Sequence, residues 1–205
     1  MTMPLARVFA LSALILFVAA AIAFGMQPWA TAIDYAHRTH PLSWLGADGV
    51  PGGMWFDALG FVLPGALAAT ALWPLRDALP TAAGWPARIG ARLTLLSAFA
   101  FAAQGLLPID IDDLDGTASG LHGIAWTLWW IAFAAGNVGL AWGFRKWRDL
   151  TDCTVASLAA QVVPLCAFFA QTVMPIALAQ RLAFVLWFLW IVWIAGRYRR
   201  LRGDG

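Results

Sequence analysis

Three histidines and a group of aspartates are the side chains of this sequence that could carry chemistry. His37 and His40 are three residues apart, a spacing that puts two side chains on one face of a helical turn. An acidic segment precedes His122, and its four carboxylates lie within six positions, at Asp110, Asp112, Asp113 and Asp115. Imidazole and carboxylate groups held together can support general acid–base catalysis or bind a divalent metal.

The first hypothesis is a membrane-embedded enzyme whose site combines these groups. His40, His122 and Asp110 would serve as ligands or acid–base groups. Asp57 would be a second carboxylate, and Ser43 would act as a nucleophile or assist an oxyanion. Such a site would activate water for hydrolysis of an ester, amide or phosphate in a lipid-like substrate.

A metal site is the more specific form of this hypothesis. Its candidate ligands for a divalent metal such as zinc are His37, His40, His122 and Asp110. Three imidazole nitrogens would leave one coordination position for water. The simpler interpretation is that outer loops carry His and Asp because they are solvated, and that Asp57 caps a helix. The sequence leaves both interpretations open.

The elements that must position these residues are apolar. The chain has 205 residues, of which 61% are hydrophobic and 12% are charged, whereas about a quarter of the residues of an average soluble domain are charged. The charges lie between apolar blocks, which indicates an integral membrane protein. Cys153 and Cys166 fall in one predicted helix roughly 20 Å apart, too far for a disulfide.

Six apolar segments approach the length of about 20 residues that a helix needs to cross a bilayer. They are residues 5–25, 54–75, 89–107, 121–144, 153–177 and 182–196. We therefore predict an all-α fold, a polytopic bundle of six transmembrane helices that forms a single domain over residues 1–205. The Ala-rich end of the first segment also permits a signal peptide, but the length of the segment favours a retained helix.

Basic side chains define the expected orientation. They concentrate in every second connection, at Arg76, Arg88, Arg92, Arg145, Lys146, Arg148, Arg197, Arg199, Arg200 and Arg202, whereas the alternate loops hold only Arg38 and Arg181. The positive-inside rule then places both termini in the cytoplasm. In a bacterial inner membrane the histidines and the acidic loop would face the periplasm or exterior. Membrane lipids or a lipid-like small molecule are the expected partners, and no nucleic acid is expected.

Several sequence features predict how the spans pack against one another. Gly139 and Gly143 form a GxxxG pattern that suits close approach of a neighbouring helix. The chain has 13 Trp. We expect these residues to form a belt at the membrane interface and to pack between helices, in preference to forming the aromatic wall of a site for a lipid, quinone or haem. The spans carry amides and hydroxyls rather than a chain of buried charges, which argues against an ion-coupled transporter.

Four motifs resemble the domain-of-unknown-function 998 family of prokaryotic integral membrane proteins. They are HPLSWLG at 40–46, WFDALGFVLPG at 55–65, LLPIDIDD at 106–113 and LHG at 121–123. The resemblance covers most of the chain and implies about six helices. The family pattern falls on His40, Pro41, Ser43, Pro108, Asp110 and His122 of this sequence. The family more often has Asn at the position of Asp57, and it implies no particular reaction.

The second function hypothesis belongs to another class. The chain would be a non-catalytic protein of lipid binding, transport or membrane assembly. The same histidines and aspartates would then only lock loops to helix ends.

Overall fold

The computed structural model describes residues 3–28, 30 and 33–203. Within these residues the chain is all-helical, without a β-strand. We number its main helices α1 (Met3–Gly25), α2 (Gly53–Ala78), α3 (Gly84–Gln104), α4 (Thr117–Phe144), α5 (Arg148–Phe169), α6 (Ile176–Ala195) and α7 (Tyr198–Arg202). Five of them, α1, α2, α4, α5 and α6, are long and apolar enough to cross a membrane.

Helix α3 corresponds to the predicted third span but is less apolar than the other five. It has 21 residues, beginning at Gly84 and ending at Gln104. Arg88 and Arg92 lie in its first half and lower its mean hydropathy. Its length of about 31 Å still matches the apolar thickness of a bilayer.

Glycines bring α3 and α4 close together. A Cβ added to Gly90 would lie 2.6 Å from the carbonyl oxygen of Gly136, and one added to Gly139 would lie 2.7 Å from the carbonyl oxygen of Pro86. Gly143 packs against Ala87 in the same way. The close packing predicted from GxxxG is therefore confirmed, and its partner is a helix of the same chain.

Helix α2 widens at the point where it carries Asp57. Residues Asp57–Val62 are π-helical, and the N–H of Leu63 bonds to the carbonyl of Ala58 five residues back. Pro64 contributes to this irregularity because it has no N–H to donate. The helix begins after Gly52, whose φ of 78° is left-handed, and no side chain caps it. The interpretation of Asp57 as a helix cap is therefore wrong.

The ends of the later helices differ from the sequence prediction. Helix α4 begins at Thr117, so His122 lies in its second turn rather than at its start. Helix α5 ends at Phe169 and α6 begins at Ile176, after the extended residue Pro175. Arg181 consequently belongs to α6 and not to the loop predicted between the fifth and sixth spans.

Aromatic side chains fill the centre of the bundle. The Phe101 ring stacks on Trp187 with a centroid distance of 4.9 Å, and Phe184 meets Phe101 edge-to-face at 5.1 Å. Trp129 and Phe188 complete this cluster, and all five side chains are fully buried. These rings pack against one another, as the packing interpretation of the tryptophans predicts.

The bundle has two chemically different ends. At the first, which we call the basic end, Asp152 accepts hydrogen bonds from Arg197 at 3.2 Å and Arg200 at 2.9 Å, and the Tyr198 hydroxyl donates to the carbonyl of Ala71 at 2.7 Å. Arg7 of α1 lies beside the end of α6 at this same end. The opposite end, the histidine end, consists of residues 33–52, residues 105–116 and the adjoining starts of α2, α4 and α6. All three histidines lie there.

Candidate functional site

A cavity of about 390 Å³ opens between the loops and helices of the histidine end. We call it the His122 cavity. Its polar lining consists of Ser43, Ser119, His122 and Gln180, and Trp44 and Trp126 form part of its apolar lining. The cavity therefore joins a few polar groups to a larger apolar surface, which is the usual make-up of a small-molecule site.

His122 is held in one orientation by the backbone before it. Its side chain is buried, with 8% exposed, and its Nδ1 lies 3.1 Å from the carbonyl oxygen of Gln104 and 2.9 Å from that of Leu107. Carbonyl oxygens only accept hydrogen bonds, so Nδ1 carries the proton. In the neutral ring, Nε2 is then a free acceptor, without a protein partner in the described part of the chain. The ring can therefore act as a base at Nε2.

The end of α3 explains why these carbonyls are available. The last carbonyls of a helix have no partner within it, and α3 ends at Gln104. The chain then turns through Gly105 to Pro108, which leaves the Leu107 carbonyl beside the second turn of α4. His122 satisfies both oxygens, so it also has a structural role.

Ser43 lines the same cavity from the loop between α1 and α2. It lies in a short 3₁₀ helix, Leu42–Gly46, which is held to α6 because the N–H of Leu42 donates to Oε1 of Gln180 at 3.2 Å. The Ser43 side chain is buried against the cavity. Its hydroxyl has no hydrogen-bond partner among the residues that the structure describes, so it is available to a ligand.

Asp110 serves the acidic loop instead of the cavity. Its Oδ1 accepts the N–H groups of Asp112 at 2.9 Å and Asp113 at 3.3 Å. The hydroxyl of Ser119 accepts the Asp110 N–H at 3.1 Å and lies 3.0 Å from the Asp110 carbonyl oxygen. This arrangement fixes the loop, and Asp110 does not line the His122 cavity.

His37 and His40 lie in a turn, and their ring nitrogens have different hydrogen-bond partners. His37 Nδ1 is 3.2 Å from the Tyr35 hydroxyl and 3.3 Å from a guanidinium nitrogen of Arg181. Burial lowers the pKa of His37 and the charge of Arg181 lowers it further, while burial raises the pKa of Tyr35. The His40 ring instead accepts the Ala36 N–H at 3.1 Å and lies 4.3 Å from the Trp44 ring.

The four predicted metal ligands do not fit a shared metal site. Across residues 3–28, 30 and 33–203, no three His, Cys or Asp side chains are grouped so that they could hold an ion. His37 faces the cationic Arg181, His122 Nδ1 is bonded to two carbonyls, and Asp110 is bonded within its loop. Of the four, His122 lines the cavity, and His40 contacts the cavity wall through Trp44.

Asp57 lies at a different cavity from His122. A second cavity of about 470 Å³ is lined by Asp48, Asp57, Gly105, Leu106 and Pro108, among others. The chain that connects α3 to the acidic loop runs between the two cavities. The structure therefore brings Ser43 and His122 together but separates both from the Asp57 carboxylate.

Several residues of these cavities were missed by sequence reasoning. Ser119 could have been found, because it precedes His122 by three residues and so shares its helix face. Gln180 carries no such signal, since its partner Leu42 is 138 residues away. Asp48 also carries no sequence signal that identifies it as a neighbour of Asp57.

The fold and the cavity define an all-helical protein with five helices suited to crossing a membrane and a histidine-lined cavity at one end. Comparison with models of known families, with curated proteins and with solved structures finds no match for this chain. The resemblance to the domain-of-unknown-function 998 family therefore stays a prediction from the motifs of the histidine end.

Proposed function

We propose that this chain is a multi-pass protein of the bacterial cytoplasmic membrane, with six spanning helices, cytoplasmic termini and its histidine end facing the periplasm or exterior. The support is the separation of charge: Arg197 and Arg200 lie at the basic end, and all three histidines lie at the other. Cytoplasmic ends of membrane helices are rich in Lys and Arg. We extend the proposal to membership of the domain-of-unknown-function 998 family, on the four motifs alone.

At this site we propose hydrolysis of a lipid-like substrate, with His122 as the general base. The observation that carries the proposal is the fixed ring of His122, whose Nδ1–H donates to two carbonyls while the residue lines a largely apolar cavity. The ring is thus oriented before any substrate arrives. A group held in this way loses little freedom in the transition state.

The reaction requires no group beyond substrate and water. His122 Nε2 takes a proton from a water molecule as its oxygen attacks the carbonyl carbon of an ester. The carbon–oxygen bond to the leaving alcohol then breaks, and the imidazolium returns the proton to the departing oxygen. The Ser43 hydroxyl would donate a hydrogen bond to the oxyanion that forms between these steps.

Non-catalytic lipid binding is the second candidate. It is favoured by the positions of the carboxylates, because Asp110 is bonded within its loop and Asp57 lies at the second cavity. His122 would then only cap the end of α3 and accept a hydrogen bond from a lipid headgroup. Both candidates require a lipid-like molecule in the His122 cavity.

One experiment separates the two. The protein is reconstituted in nanodiscs made from bacterial lipid extract, and hydrolysis products and retained lipids are followed by mass spectrometry. His122→Asn keeps an N–H near the two carbonyls and removes the base, so we expect turnover to fall about 100-fold or more while the protein stays folded. His37→Gln is the matched control, since His37 does not line the cavity, and we expect it to retain turnover.

The outcomes are distinct. If wild type and His122→Asn retain lipid equally and neither forms a product, the hydrolysis proposal is wrong and lipid binding is supported. If wild type retains no lipid and forms no product, both candidates are wrong.

A further inference from the structure

The second cavity contains a carboxylate that the fold does not neutralise. Asp57 is buried, with 7% exposed, and lines this cavity, which we call the Asp57 cavity. Within the described residues, no hydrogen bond or ion pair reaches its side-chain oxygens. A buried carboxylate without a partner is strongly unfavourable, and ionisable groups in membrane helices are usually functional.

The surrounding backbone is shaped to admit this carboxylate. Asp57 begins the π-helical segment of α2, and such widened turns often occur at functional sites. Gly46 faces it, and a Cβ at Gly46 would clash with Asp57 Oδ1. The absence of a side chain at Gly46 therefore leaves the room that the carboxylate occupies.

A second carboxylate adds to the negative charge. Asp48 also lines the cavity, and it is close enough to act electrostatically on Asp57. Its backbone N–H donates to the carbonyl of Ile109 at 2.9 Å, which anchors the loop 47–50 beside the cavity. No Arg, Lys or His is among the residues that line it. Two like charges that face one cavity favour a cationic ligand between them.

The size and rim of the cavity indicate what kind of cation fits. Its volume of about 470 Å³ is much larger than an ion, and two carboxylates do not complete the ligand set of a metal. An ammonium group has three N–H donors and can bond to both carboxylates at once. Met54 and Leu106 also line the cavity and are 73% and 67% exposed, so the rim offers apolar surface to the chain of an amphipathic molecule.

We propose that the Asp57 cavity binds the ammonium group of an amphipathic amine through Asp57 and Asp48. The ligand is either the headgroup of a membrane lipid or a free soluble amine, and the two share this chemistry. The site is separate from the His122 cavity and does not depend on the function proposed there.

The test uses the full chain in nanodiscs of phosphatidylglycerol, to which phosphatidylethanolamine is added in steps. A parallel series adds free ethanolamine at constant ionic strength, with sodium chloride as the reference. Native mass spectrometry counts retained lipid, and intrinsic tryptophan fluorescence reports the thermal midpoint. We expect saturable binding of at least one ammonium probe to wild type, with affinity about tenfold lower or worse in Asp57→Asn.

Two further variants complete the design. Asp48→Asn removes the exposed carboxylate and should also weaken binding, which keeps the test decisive if Asp57→Asn does not fold. Asp112→Asn makes the same chemical change at an exposed position of the acidic loop and should bind as wild type does.

Each result decides the proposal. Binding of phosphatidylethanolamine alone identifies a lipid headgroup, and binding of ethanolamine as well identifies a soluble amine as a sufficient ligand. Equal retention of both lipids with no response to ethanolamine overturns the proposal. Unchanged binding in Asp57→Asn and Asp48→Asn also overturns it.

Discussion

The two cavities of the histidine end are separated by a single stretch of backbone, yet their ionisable groups are held in opposite ways. His122 has one ring nitrogen bonded to two carbonyl oxygens, and only Nε2 is left for a ligand. Asp57 is as deeply buried but has no partner among the described residues. His122 therefore stabilises the fold and also serves its site. The unpaired carboxylate of Asp57 instead destabilises the fold, and a bound cation would reduce that cost.

The segment between the cavities makes this contrast possible. Its Gln104 and Leu107 carbonyls turn toward His122, while Gly105, Leu106 and Pro108 line the Asp57 cavity. One connection thus presents hydrogen-bond acceptors on one side and apolar surface on the other. Variants at the two ionisable residues should have stability effects of opposite sign.

Removal of the His122 ring should have the largest effect. His122→Ala leaves two buried carbonyls without a donor and opens space beside Phe61, so we expect a loss of about 2–4 kcal/mol in the free energy of unfolding. The thermal midpoint should fall by about 5–10 °C, measured by intrinsic fluorescence in detergent. His122→Asn should recover most of this loss. An unchanged midpoint in His122→Ala would mean that the two bonds do not hold the segment.

A change in the segment itself should disturb both cavities. A Cβ at Gly105 would lie 2.7 Å from the Asp57 carbonyl oxygen and 2.8 Å from the Cβ of Phe61. Because these are backbone and core atoms, Gly105→Ala must move the segment away from α2, which should destabilise the protein by about 1–3 kcal/mol. The thermal midpoint measures this loss.

Gly49→Ala is not a suitable control for that change, since the φ of 76° at Gly49 is itself unfavourable for alanine. Gly123→Ala is suitable, because Gly123 lies in a helix and a Cβ there meets nothing within 4 Å. We expect Gly123→Ala to keep or slightly raise the wild-type midpoint, because alanine is favoured over glycine inside a helix. Equal losses in both variants would show that the effect is not specific to the segment.

Neutralisation of Asp57 should act in the opposite direction. Asp57→Asn replaces a buried unpaired carboxylate with an amide of the same shape, so we expect a gain of about 1–2 kcal/mol when no amine is bound. The midpoint should rise by a few degrees, and the rise should shrink when an ammonium ligand stabilises the wild type. A lower midpoint in Asp57→Asn would instead indicate a favourable interaction of the carboxylate, and the contrast between the cavities would fail.

Much of the bundle could be predicted from the sequence, because apolar segments of spanning length leave few alternatives to helices. The five membrane-suited helices overlap predicted spans, and their ends shift where local residues decide them, as at Pro175. The widened turn at Asp57 was not predicted, since Pro64 permits it but does not require it. The hydrogen bond between Leu42 and Gln180 could not be predicted from local sequence patterns either, because contacts across 138 residues depend on how the helices pack.

The candidate site was predicted only in part for the same reason. Ser43 and His122 do line one cavity, but no local signal could show that Asp57 lies on the far side of the Gly105 turn. The HxxH spacing predicted two side chains on one face of a helical turn. In the structure the His40 N–H does bond to the Ala36 carbonyl. The His37 ring nevertheless lies beside Arg181 and the His40 ring packs on Trp44, so the two imidazoles have different partners.

The smallest effect concerns His37, which lines neither cavity. Its pKa in the folded protein lies below its ordinary value of 6.5, because of burial and the nearby Arg181 charge. As the pH falls through 6.5, the unfolded chain takes up this proton before the folded chain does. Stability that is present above pH 6.5 is therefore lost as the pH falls from 6.5 toward the folded pKa. The thermal midpoint of wild type should drop over this range.

The contribution of His37 is isolated by His37→Gln, whose amide oxygen can still accept from Arg181 but does not titrate. The difference in midpoint between wild type and this variant should be constant above pH 6.5 and should shift in favour of the variant below it. A difference that does not change between pH 7.5 and 5.5 would mean that the Arg181 charge does not act on His37. Because His37 lies outside both cavities, this titration should leave lipid retention at His122 and amine binding at Asp57 unaltered, which makes it the reference for pH effects at either site.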